Sequence, residues 1–339
     1  MAILFVSGVN DLSKIGVTLD EKGNLLYVVD GNCSVDDRLQ LEKGIAYKTI
    51  IFGLGVPQRM LSFKSVPSLI FNQIADADTH QGALERCVEL CNQVEAPVIN
   101  HPKYVLETTR DQVARKLGDI PGVVMPRTLR FQPRSPDEAL ALASENGFEF
   151  PCIIRTTGDH NGRNVVKLDN PESLPELHAL PFDGRDFYLL EYIDYRDSDG
   201  LYHKQRIIVI DGEPLLRHTL FMDDWMVHAG AREFMNTRER GDQYAARFEG
   251  LSEDVLPRMR PAIDEITKRL KLEYFGIDCC LRPDGQQMVI FEANANMNVF
   301  YASTPASSHG LAAIEKKIYE MLTKYSGEQV SKANVAPLV

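Results

Sequence analysis

The sequence predicts an α/β protein with a doubly wound, mostly parallel sheet in its first hundred residues and α+β structure in the rest. In the N-terminal part, short apolar segments alternate with polar or helical stretches, which is the order of a parallel sheet with crossover helices. After residue 120, extended segments follow one another in pairs joined by turn residues, which is typical of antiparallel hairpins. The 339 residues are enough for two or three sub-domains with cores of their own.

The apolar segments of the N-terminal part have strand lengths and end at glycine, proline or aspartate. They are AILFVSG (2–8), LLYVVDG (25–31), YKTIIFGLG (47–55), PSLIFNQIAD (67–76) and APVINHP (96–102). An amphipathic helix is predicted over 79–94. Sheets of this kind bind ligands at the carboxyl ends of their strands, so we expect ligand contacts from Ser7, Gly8, Asn72 and the Asn-His-Pro segment at 100–102.

Helices are also predicted in the remainder of the chain. They cover 108–117, 135–147, 252–271 and 311–325. The signals are clearest in the second of these helices, where Ser135 is the N-cap and Pro136 lies in the first turn. Glu138 completes a capping box, and Gly147 follows the last turn.

Two hairpins and a single strand are predicted between these helices. The first hairpin covers 150–168 and has a polar tip that contains glycine. The second covers 202–221 and turns at the Asp-Gly pair 211–212, which is a strong hairpin signal. The single strand, at 185–194, lies between them.

The stretch GIDCCLRPDGQQMVIFEANANMN, residues 276–298, places carboxylates and carboxamides among strand-forming residues, where they are disfavoured. We interpret it as most of a hairpin with arms at 274–282 and 287–295. The Pro-Asp-Gly sequence forms the turn, and the predicted register places Asp284 opposite Gln286.

This register brings three oxygen-bearing side chains together. Asp278 lies directly opposite Glu292, at a β-carbon distance of about 5 Å. Asn294 points to the same face as Glu292 because side chains alternate along a strand. Three hard oxygen ligands suit Mg²⁺. The alternative is a solvated polar face, and a slip of one residue would separate the three side chains.

The order Asp278, Glu292, Asn294, preceded by a long helix and by LLEYID at 189–194, resembles the metal-binding end of the ATP-grasp superfamily. Members of this superfamily range from carboxylate–amine ligases to a few kinases. The resemblance covers roughly residues 100 to 300. It implies an ATP-grasp fold in which two α+β subdomains clasp ATP, after a Rossmann-like N-terminal domain. The implied boundaries are 1–104 for the N-terminal domain, 105–189 for the lid subdomain, 190–328 for the subdomain with the metal site, and 329–339 for a tail.

The resemblance also implies which residues contact the phosphates of ATP. Arg110 and Arg155 stand where many members place lysines that face the phosphates. Arginine also binds phosphate, often through two hydrogen bonds. The loop at 156–164, with Gly158 and Gly162, resembles the flap that closes on the triphosphate. The alternatives are surface ion pairs for the arginines and an ordinary turn for the loop.

Contacts to the nucleoside are implied in the same way. Glu191, Tyr192 and Ile193 resemble the hinge strand that meets adenine through backbone groups. Asp199 or Asp197 would then meet the ribose hydroxyls, although both also fit a solvated loop.

Other residues are implied to act near the transferred phosphate. Arg206 resembles the basic residue that reaches the γ-phosphate, and Lys204 is a second candidate. Asn298 would face the γ-phosphate or the acceptor, unless it caps a turn. In members similar to D-alanine ligases an arginine stands two residues before the metal aspartate, but this chain has Gly276 there. The substrate class therefore does not follow from that subfamily.

The implied activity is an ATP-dependent, ADP-forming carboxylate–amine ligase that works through an acyl phosphate. Its partners would be ATP, Mg²⁺ or Mn²⁺, a small carboxylate or peptide, and an amine. A kinase acting on a small-molecule hydroxyl, and a nucleotide-binding module without activity, are the alternatives. The roles of His218, His228 and Trp225 stay open.

Composition limits the other functions. The net charge of −11 argues against nucleic acid or an anionic membrane as the main partner. None of the six cysteines forms a Cys-x-x-Cys pair, so we expect reduced thiols in a cytoplasmic protein. Homodimers are common among relatives, and the sequence does not fix the oligomeric state.

Overall fold

The computed structural model describes residues 2–19, 23–33, 35–38, 46–53, 66–159, 162–228, 230–300 and 310–327. Within these ranges, fifteen strands form four sheets. The strands are β1 (Ala2–Gly8), β2 (Gly16–Leu19), β3 (Leu25–Val28), β4 (Ala46–Phe52), β5 (Leu69–Asn72), β6 (Val98–Ile99), β7 (Val123–Val124), β8 (Thr128–Phe131), β9 (Cys152–Thr156), β10 (Val165–Leu168), β11 (Phe187–Glu191), β12 (Tyr202–Ile210), β13 (Glu213–Met222), β14 (Tyr274–Leu281) and β15 (Met288–Ala295).

The helices of the described residues range from single turns to sixteen residues. They are α1 (Val35–Arg38), α2 (Gln81–Gln93), α3 (Pro102–Val105), α4 (Arg110–Leu117), α5 (Pro136–Glu145), α6 (Ala231–Phe234), α7 (Arg238–Gly250), α8 (Leu256–Arg258), α9 (Arg260–Leu270) and α10 (Leu311–Ser326). A 3₁₀ segment covers Pro171–Ala179 and a π turn covers Leu251–Val255. None of the described helices has the length and apolarity that a membrane span needs.

The N-terminal segment forms a four-stranded parallel sheet in the order β4-β1-β5-β6. The predicted strand at 25–31 does not join this sheet, because β3 pairs antiparallel with β2 in a separate two-stranded sheet. Residues 54 and 55, the end of another predicted strand, and the predicted tail at 329–339 lie outside the described residues. The parallel order is confirmed, whereas the domain boundaries stay predictions.

An antiparallel sheet in the order β10-β9-β11-β8 follows. It contains the predicted hairpin at 150–168 and the predicted strand at 185–194. Helix α5 packs its buried alanines against this sheet, in a core with Phe187 and Leu189. The N-cap of α5 is Ser135, as predicted, and its hydroxyl accepts from the backbone N–H of Glu138. The Glu138 carboxylate reaches the N–H of Arg134, one residue further back than a capping box requires.

The central sheet has the order β13-β12-β14-β15-β7 and carries the predicted hairpin at 202–221. That hairpin turns at Asp211 and Gly212, both with positive φ, which is the geometry that Asp-Gly favours. One face of the sheet packs on α9 and on part of α2 in a large apolar core. On the other face, apolar side chains near one end of β14 pack against the parallel sheet and α10.

The prediction of one long helix at 252–271 is wrong in its N-terminal part. The chain instead forms α7, which we did not predict, followed by the π turn, α8 and α9. Pro257 and Pro261 stand in the first turns of α8 and α9, where a missing N–H costs least. Two prolines four residues apart therefore divide the helix that the apolar periodicity suggested.

Candidate active site

The register of β14 and β15 sets the geometry of the site. Asp278 pairs with Glu292, as predicted. The register nearer the turn is wrong by one residue, because Cys279 pairs with Ile290 and not with Phe291. An irregularity between Asp278 and Cys279 inserts one extra residue in β15 and restores the predicted pairing beyond it. The convergence therefore depends on a bulge that the sequence does not signal.

A row of charged residues crosses three adjacent strands of the central sheet. Arg206 on β12 pairs with Asp278 on β14, and Asp278 pairs with Glu292 on β15, so their side chains share one face. We call Arg206, Asp278 and Glu292 the charged row. His218 on β13 pairs with Arg206 and extends the row by one strand.

Asp278 is fully buried and is held by two cations. Arg206 donates from Nε to Oδ1 at 2.7 Å and from a terminal nitrogen to Oδ2 at 2.8 Å. Lys204 lies 2.8 Å from Oδ2. Burial alone would raise the pKa of Asp278, but the charges of Arg206 and Lys204 outweigh it and hold the pKa far below its usual range. The carboxylate is therefore ionised at any physiological pH.

Glu292 is held by a cation from a different element. Arg110, the first residue of α4, donates to Oε2 of Glu292 at 2.5 Å and to the carbonyl of Phe291 at 2.5 Å. The Glu292 side chain is 21% exposed, so it faces open space on one side. Burial raises its pKa, but Arg110 foremost among the cations lowers it further, to about 2. Glu292 is thus a second permanent anion beside Asp278.

Arg155 has an unsatisfied donor. It lies near the end of β9, opposite Tyr188 of β11, and a terminal nitrogen donates to the backbone carbonyl of Asp159. Its Nε is buried and has no hydrogen-bond partner among the described residues. Burial, and then the charge of Arg110, lower the pKa of Arg155 to about 10. A buried donor without a partner costs free energy, so this position favours an anionic ligand.

These residues line one cavity of about 520 Å³. It brings together thirteen of the residues that the resemblance to ATP-grasp proteins implied for the site. They are Arg110, Arg155, Gly158, Gly162, Glu191, Tyr192, Ile193, Lys204, Arg206, Asp278, Glu292, Asn294 and Asn298. Trp225 and His228 also line the cavity, whereas His218 does not. Residues 160 and 161 of the predicted flap lie outside the described residues.

The predicted ribose contact is not brought to this cavity. Neither Asp199 nor Asp197 lines it. Asp199 contacts Nε2 of His203 at 2.8 Å, and Asp197 accepts from Arg247 at 2.8 Å. Both carboxylates are thus paired within their own neighbourhood, and a ribose role for either finds no support in the geometry.

The two flap glycines have positive φ, which glycine adopts at little cost. Gly158 also lies against the N-terminal segment, because a Cβ built there would be 2.3 Å from Cγ2 of Thr79. The same position therefore needs glycine both for its backbone conformation and for the close approach of Thr79. Gly162 has only side-chain neighbours, the nearest from Met226.

Sequence reasoning missed an anion on the N-terminal side of the cavity. Asp78, in the loop between β5 and α2, lines the cavity and accepts from the hydroxyl of Tyr188 at 2.8 Å and from Arg130 at 2.8 Å. Burial raises the pKa of Asp78 more than Tyr188 and Arg130 lower it. The rule that ligands bind at the carboxyl ends of parallel strands could have indicated this residue, since its loop follows β5.

The N-terminal residues that we did select do not line the cavity. Ser7, Gly8, Asn72 and the segment 100–102 are not among its lining residues. Asn72 and Asn100 are fully buried, so their predicted ligand contacts are wrong, whereas those of Ser7, Gly8, His101 and Pro102 stay predictions. The neighbouring loops that contain Asn32 and Asp78 form the N-terminal wall of the cavity instead.

The buried asparagines have a structural role. Asn100 accepts from the N–H groups of Glu273 and Tyr274, each at 2.9 Å, and donates to Oδ1 of Asn296 at 2.7 Å. Asn72 donates to the carbonyl of Asn100 at 3.0 Å. These bonds join the parallel sheet to the start of β14 and to the segment after β15. They fix the end of the cavity where Asn296 lies.

Comparisons with known proteins agree with this architecture. No family model matches the sequence, and no curated protein matches it. The structure is similar to the D-alanine–D-alanine ligase from Bacillus anthracis, with a TM-score of 0.56 and 14% identity over 96% of this chain and 97% of that chain. The same ligase complexed with ATP has a TM-score of 0.56 and 16% identity over the same shares.

Two further solved structures are similar over most of their length. The VanG D-Ala:D-Ser ligase from Enterococcus faecalis has a TM-score of 0.55 and 12% identity over 96% of this chain and 99% of that chain. A RimK domain protein, described as ATP-grasp, from Sphaerobacter thermophilus has a TM-score of 0.52 and 14% identity over 96% and 99% of the two chains. Likeness at these identities establishes the fold, and it agrees with the arrangement of the sheets around the cavity. The chain has the ATP-grasp fold.

Proposed function

We propose that this protein is an ATP-dependent carboxylate–amine ligase that forms an amide bond through an acyl phosphate and releases ADP and phosphate. The observation that carries the proposal is the convergence of Asp278, Glu292 and Asn294 with four cationic side chains in one cavity. The fold is that of proteins whose structures are named as ligases, one of them solved with ATP.

The three oxygen-bearing side chains fit a divalent cation. Arg206 and Lys204 use three of the roughly four lone-pair sites of Asp278, which leaves one. Among the described residues, Oε1 of Glu292 and the carboxamide of Asn294 make no hydrogen bond. Hard, anionic oxygen ligands with free lone pairs suit Mg²⁺ or Mn²⁺. When bound there, such an ion would neutralise charge on the β- and γ-phosphates.

The cations around these carboxylates suit a polyphosphate. Arg110 contacts Glu292, Arg206 and Lys204 contact Asp278, and Arg155 lines the same cavity. Arg206 has five N–H donors and uses two of them on Asp278. The unsatisfied Nε of Arg155 offers a further donor. The phosphates would therefore meet donors already positioned by the protein, at little reorganisation cost.

The nucleoside end would lie at the strand end formed by Glu191, Tyr192 and Ile193. These residues line the cavity together with apolar side chains such as Leu220 and Val289. A flat aromatic base fits such a lining, and backbone groups at the end of β11 would supply its hydrogen bonds.

The chemistry needs no covalent nucleophile from the protein. A carboxylate oxygen of the substrate attacks the γ-phosphorus, the bond to the bridging oxygen breaks, and ADP leaves. The amine nitrogen then attacks the acyl carbon, phosphate leaves with the electron pair of the C–O bond, and the nitrogen loses a proton. The cations of the cavity bind and orient the phosphates, and enclosure limits hydrolysis of the acyl phosphate.

The test is ADP release from Mg²⁺-ATP with a panel of amino acids, peptides and other small acids, with and without hydroxylamine as a surrogate amine. We expect a hydroxamate that forms only with ATP and with particular acids. ATP binding without hydroxamate from any acid would contradict the ligase. ADP formed together with a phosphorylated, hydroxylamine-resistant product would indicate a kinase instead.

A further inference from the structure

The residue beside the predicted metal ligands on β14 is a glycine, so it has no side chain there. Gly276 pairs directly with Asn294 and lies two residues before Asp278 on the same face of β14. A Cβ built on Gly276 would lie 2.2 Å from Sδ of Met297 and 2.6 Å from its Cε. No side chain fits at residue 276 while Met297 occupies this space. The wall of the cavity next to Asn294 is therefore an apolar thioether.

Met297 is held firmly in this position. Its carbonyl accepts from the hydroxyl of Tyr274 at 2.8 Å. The preceding residue, Asn296, donates to the carbonyl of Ile74 at 2.8 Å and accepts from Asn100 at 2.7 Å. Met297 is only 6% exposed and lines the cavity. The backbone that carries the thioether is thus fixed by hydrogen bonds, and the thioether itself is packed against Gly276.

The location along β14 shows which end of the cavity this wall closes. Tyr274 packs with Phe71 of the parallel sheet, and Asp278 belongs to the charged row. Gly276 lies between them, about 7 Å from Asp278 at the usual rise of a strand. On the far side of the charged row, Leu220 and Tyr192 line the end where the nucleoside would lie. Met297 therefore bounds the opposite end, beyond the phosphates.

We propose that Met297, seated on Gly276, is a specificity-determining residue that admits acids with a short, uncharged substituent and excludes those with a long or ionised one. This inference rests on the proposed ligase function, since the end beyond the γ-phosphate then receives the acid. A long substituent would collide with the thioether. An ionised substituent would lose hydration against an apolar surface that carries no cation at residue 276.

The experiment compares Met297→Ala with the wild-type protein in the hydroxamate assay. The unbranched monocarboxylic acids, in order of increasing chain length, serve as the probes. We expect the ratio of kcat/KM for long over short members to rise by about tenfold or more in the variant, because each methylene in an apolar pocket changes specificity by 10-fold or more. The KM for ATP should stay within about twofold, because Met297 lies away from the nucleoside end.

Matched variants separate specificity from stability. Met321→Ala removes the same atoms from a fully buried methionine of the same apolar core that does not line the cavity. It should lower stability without changing the preference for acid length. Should Met297→Ala fail to unfold cooperatively, Met297→Val opens the same wall with less loss of packing and should shift the preference in the same direction.

The outcomes distinguish this inference from the proposed function. Hydroxamate formation by the wild type with an unchanged length preference in both Met297 variants would overturn the inference and leave the ligase intact. A wild-type preference for a dicarboxylic acid over the monocarboxylic acid of equal length would also overturn it. Absence of hydroxamate from every acid would overturn the ligase, and the inference with it.

Discussion

Two groups of carboxylates in this protein have similar partners and different surroundings. In the charged row, Asp278 and Glu292 contact arginines and face the cavity. In the loop before β12, Asp197 contacts Arg247 and Asp199 contacts His203. We call Asp197, Asp199 and His203 the loop cluster. The predicted roles were a metal site for the first group and a ribose contact for the second.

Backbone register separates the two groups, and burial separates Asp278 from Asp199. Asp278 is completely buried on a central strand, so its position follows from the hydrogen bonds of β12, β14 and β15. Asp199 is 44% exposed and accepts from the backbone N–H of Leu201 in its own loop. The sheet sets the direction of a carboxylate on a strand, whereas a carboxylate in a loop can accept hydrogen bonds from the backbone of its own turn. The direction of the first can therefore be predicted from the sequence, and that of the second cannot.

The largest effect should come from Glu292→Gln in the charged row. Turnover should fall by about a thousandfold, because the variant loses an anionic ligand and its charge while keeping an oxygen that can accept from Arg110. ADP release under saturating ATP is the measurement, with urea unfolding as the check that the fold is kept. A variant with most of its activity would contradict the metal assignment.

Asp278→Asn should be the most destabilising change of the comparison. It leaves Arg206 and Lys204 beside a neutral side chain in a buried place, at a cost of about 3–5 kcal/mol in the free energy of unfolding. Urea denaturation measures it. Adding Lys204→Met should recover part of the loss, since one uncompensated charge is then removed. A loss below about 1 kcal/mol would mean that the buried pair is not what stabilises this part of the sheet.

Lowering the pH should reduce the free energy of unfolding through buried histidines and not through the charged row. Burial, and then the charge of Arg247, lower the pKa of His203, and burial and Arg206 lower that of His218 well below the usual value. The unfolded chain therefore binds more protons below about pH 6.5, and stability falls as the pH drops through that range, by at most about 1.4 kcal/mol per pH unit for each histidine.

The carboxylates of the charged row should not contribute to this loss. Their folded pKa values are depressed, that of Glu292 to about 2, so the stabilisation they give is lost only below about pH 4. Urea midpoints between pH 8 and 5.5 test the assignment. His203→Gln should flatten the slope, whereas Glu292→Gln should leave it unchanged. An equal slope in His203→Gln would show that His203 is not one of the titrating groups.

Asp199→Asn should have the smallest effect. The residue is substantially exposed and does not line the cavity, so we expect less than about 1 kcal/mol in stability and less than about twofold in the KM for ATP. ATP titration of ADP release is the measurement. A tenfold rise in the KM for ATP would indicate that Asp199 contacts the ribose after all. The loop cluster and the charged row would then both take part in ATP binding.

Much of the site could be predicted from the sequence because it lies on strands. Alternation places Glu292 and Asn294 on one face whatever the rest of the fold. The pairing of Asp278 with Glu292 depends in addition on the bulge beside Asp278, which the sequence does not signal. The resemblance to ATP-grasp proteins supplied the other positions, and the cavity gathers all of them except Asp199 and its alternative, Asp197. Both lie in one loop, where local hydrogen bonds decide the direction of a side chain.

Long-range contacts account for what was missed. Asp78 joins the cavity because a loop of the parallel sheet meets Tyr188 and Arg130 of another sheet, residues between 52 and 110 positions away along the chain. Asn72 and Asn100 were wrongly assigned to ligand binding because carboxamides at strand ends serve equally well to join two sheets. Neither outcome is encoded within a window of neighbouring residues.

The sequence by itself determined the alternation of the central strands, the Asp-Gly turn between β12 and β13 and the capped start of α5, because these depend on contacts and dihedral preferences within a few residues. Only the tertiary structure decided the bulge beside Asp278, the packing of Met297 onto Gly276 and the wall that Asp78 contributes. The last two result from close packing between segments that are not adjacent in the chain, where the space left by one segment determines which side chain of another can occupy it.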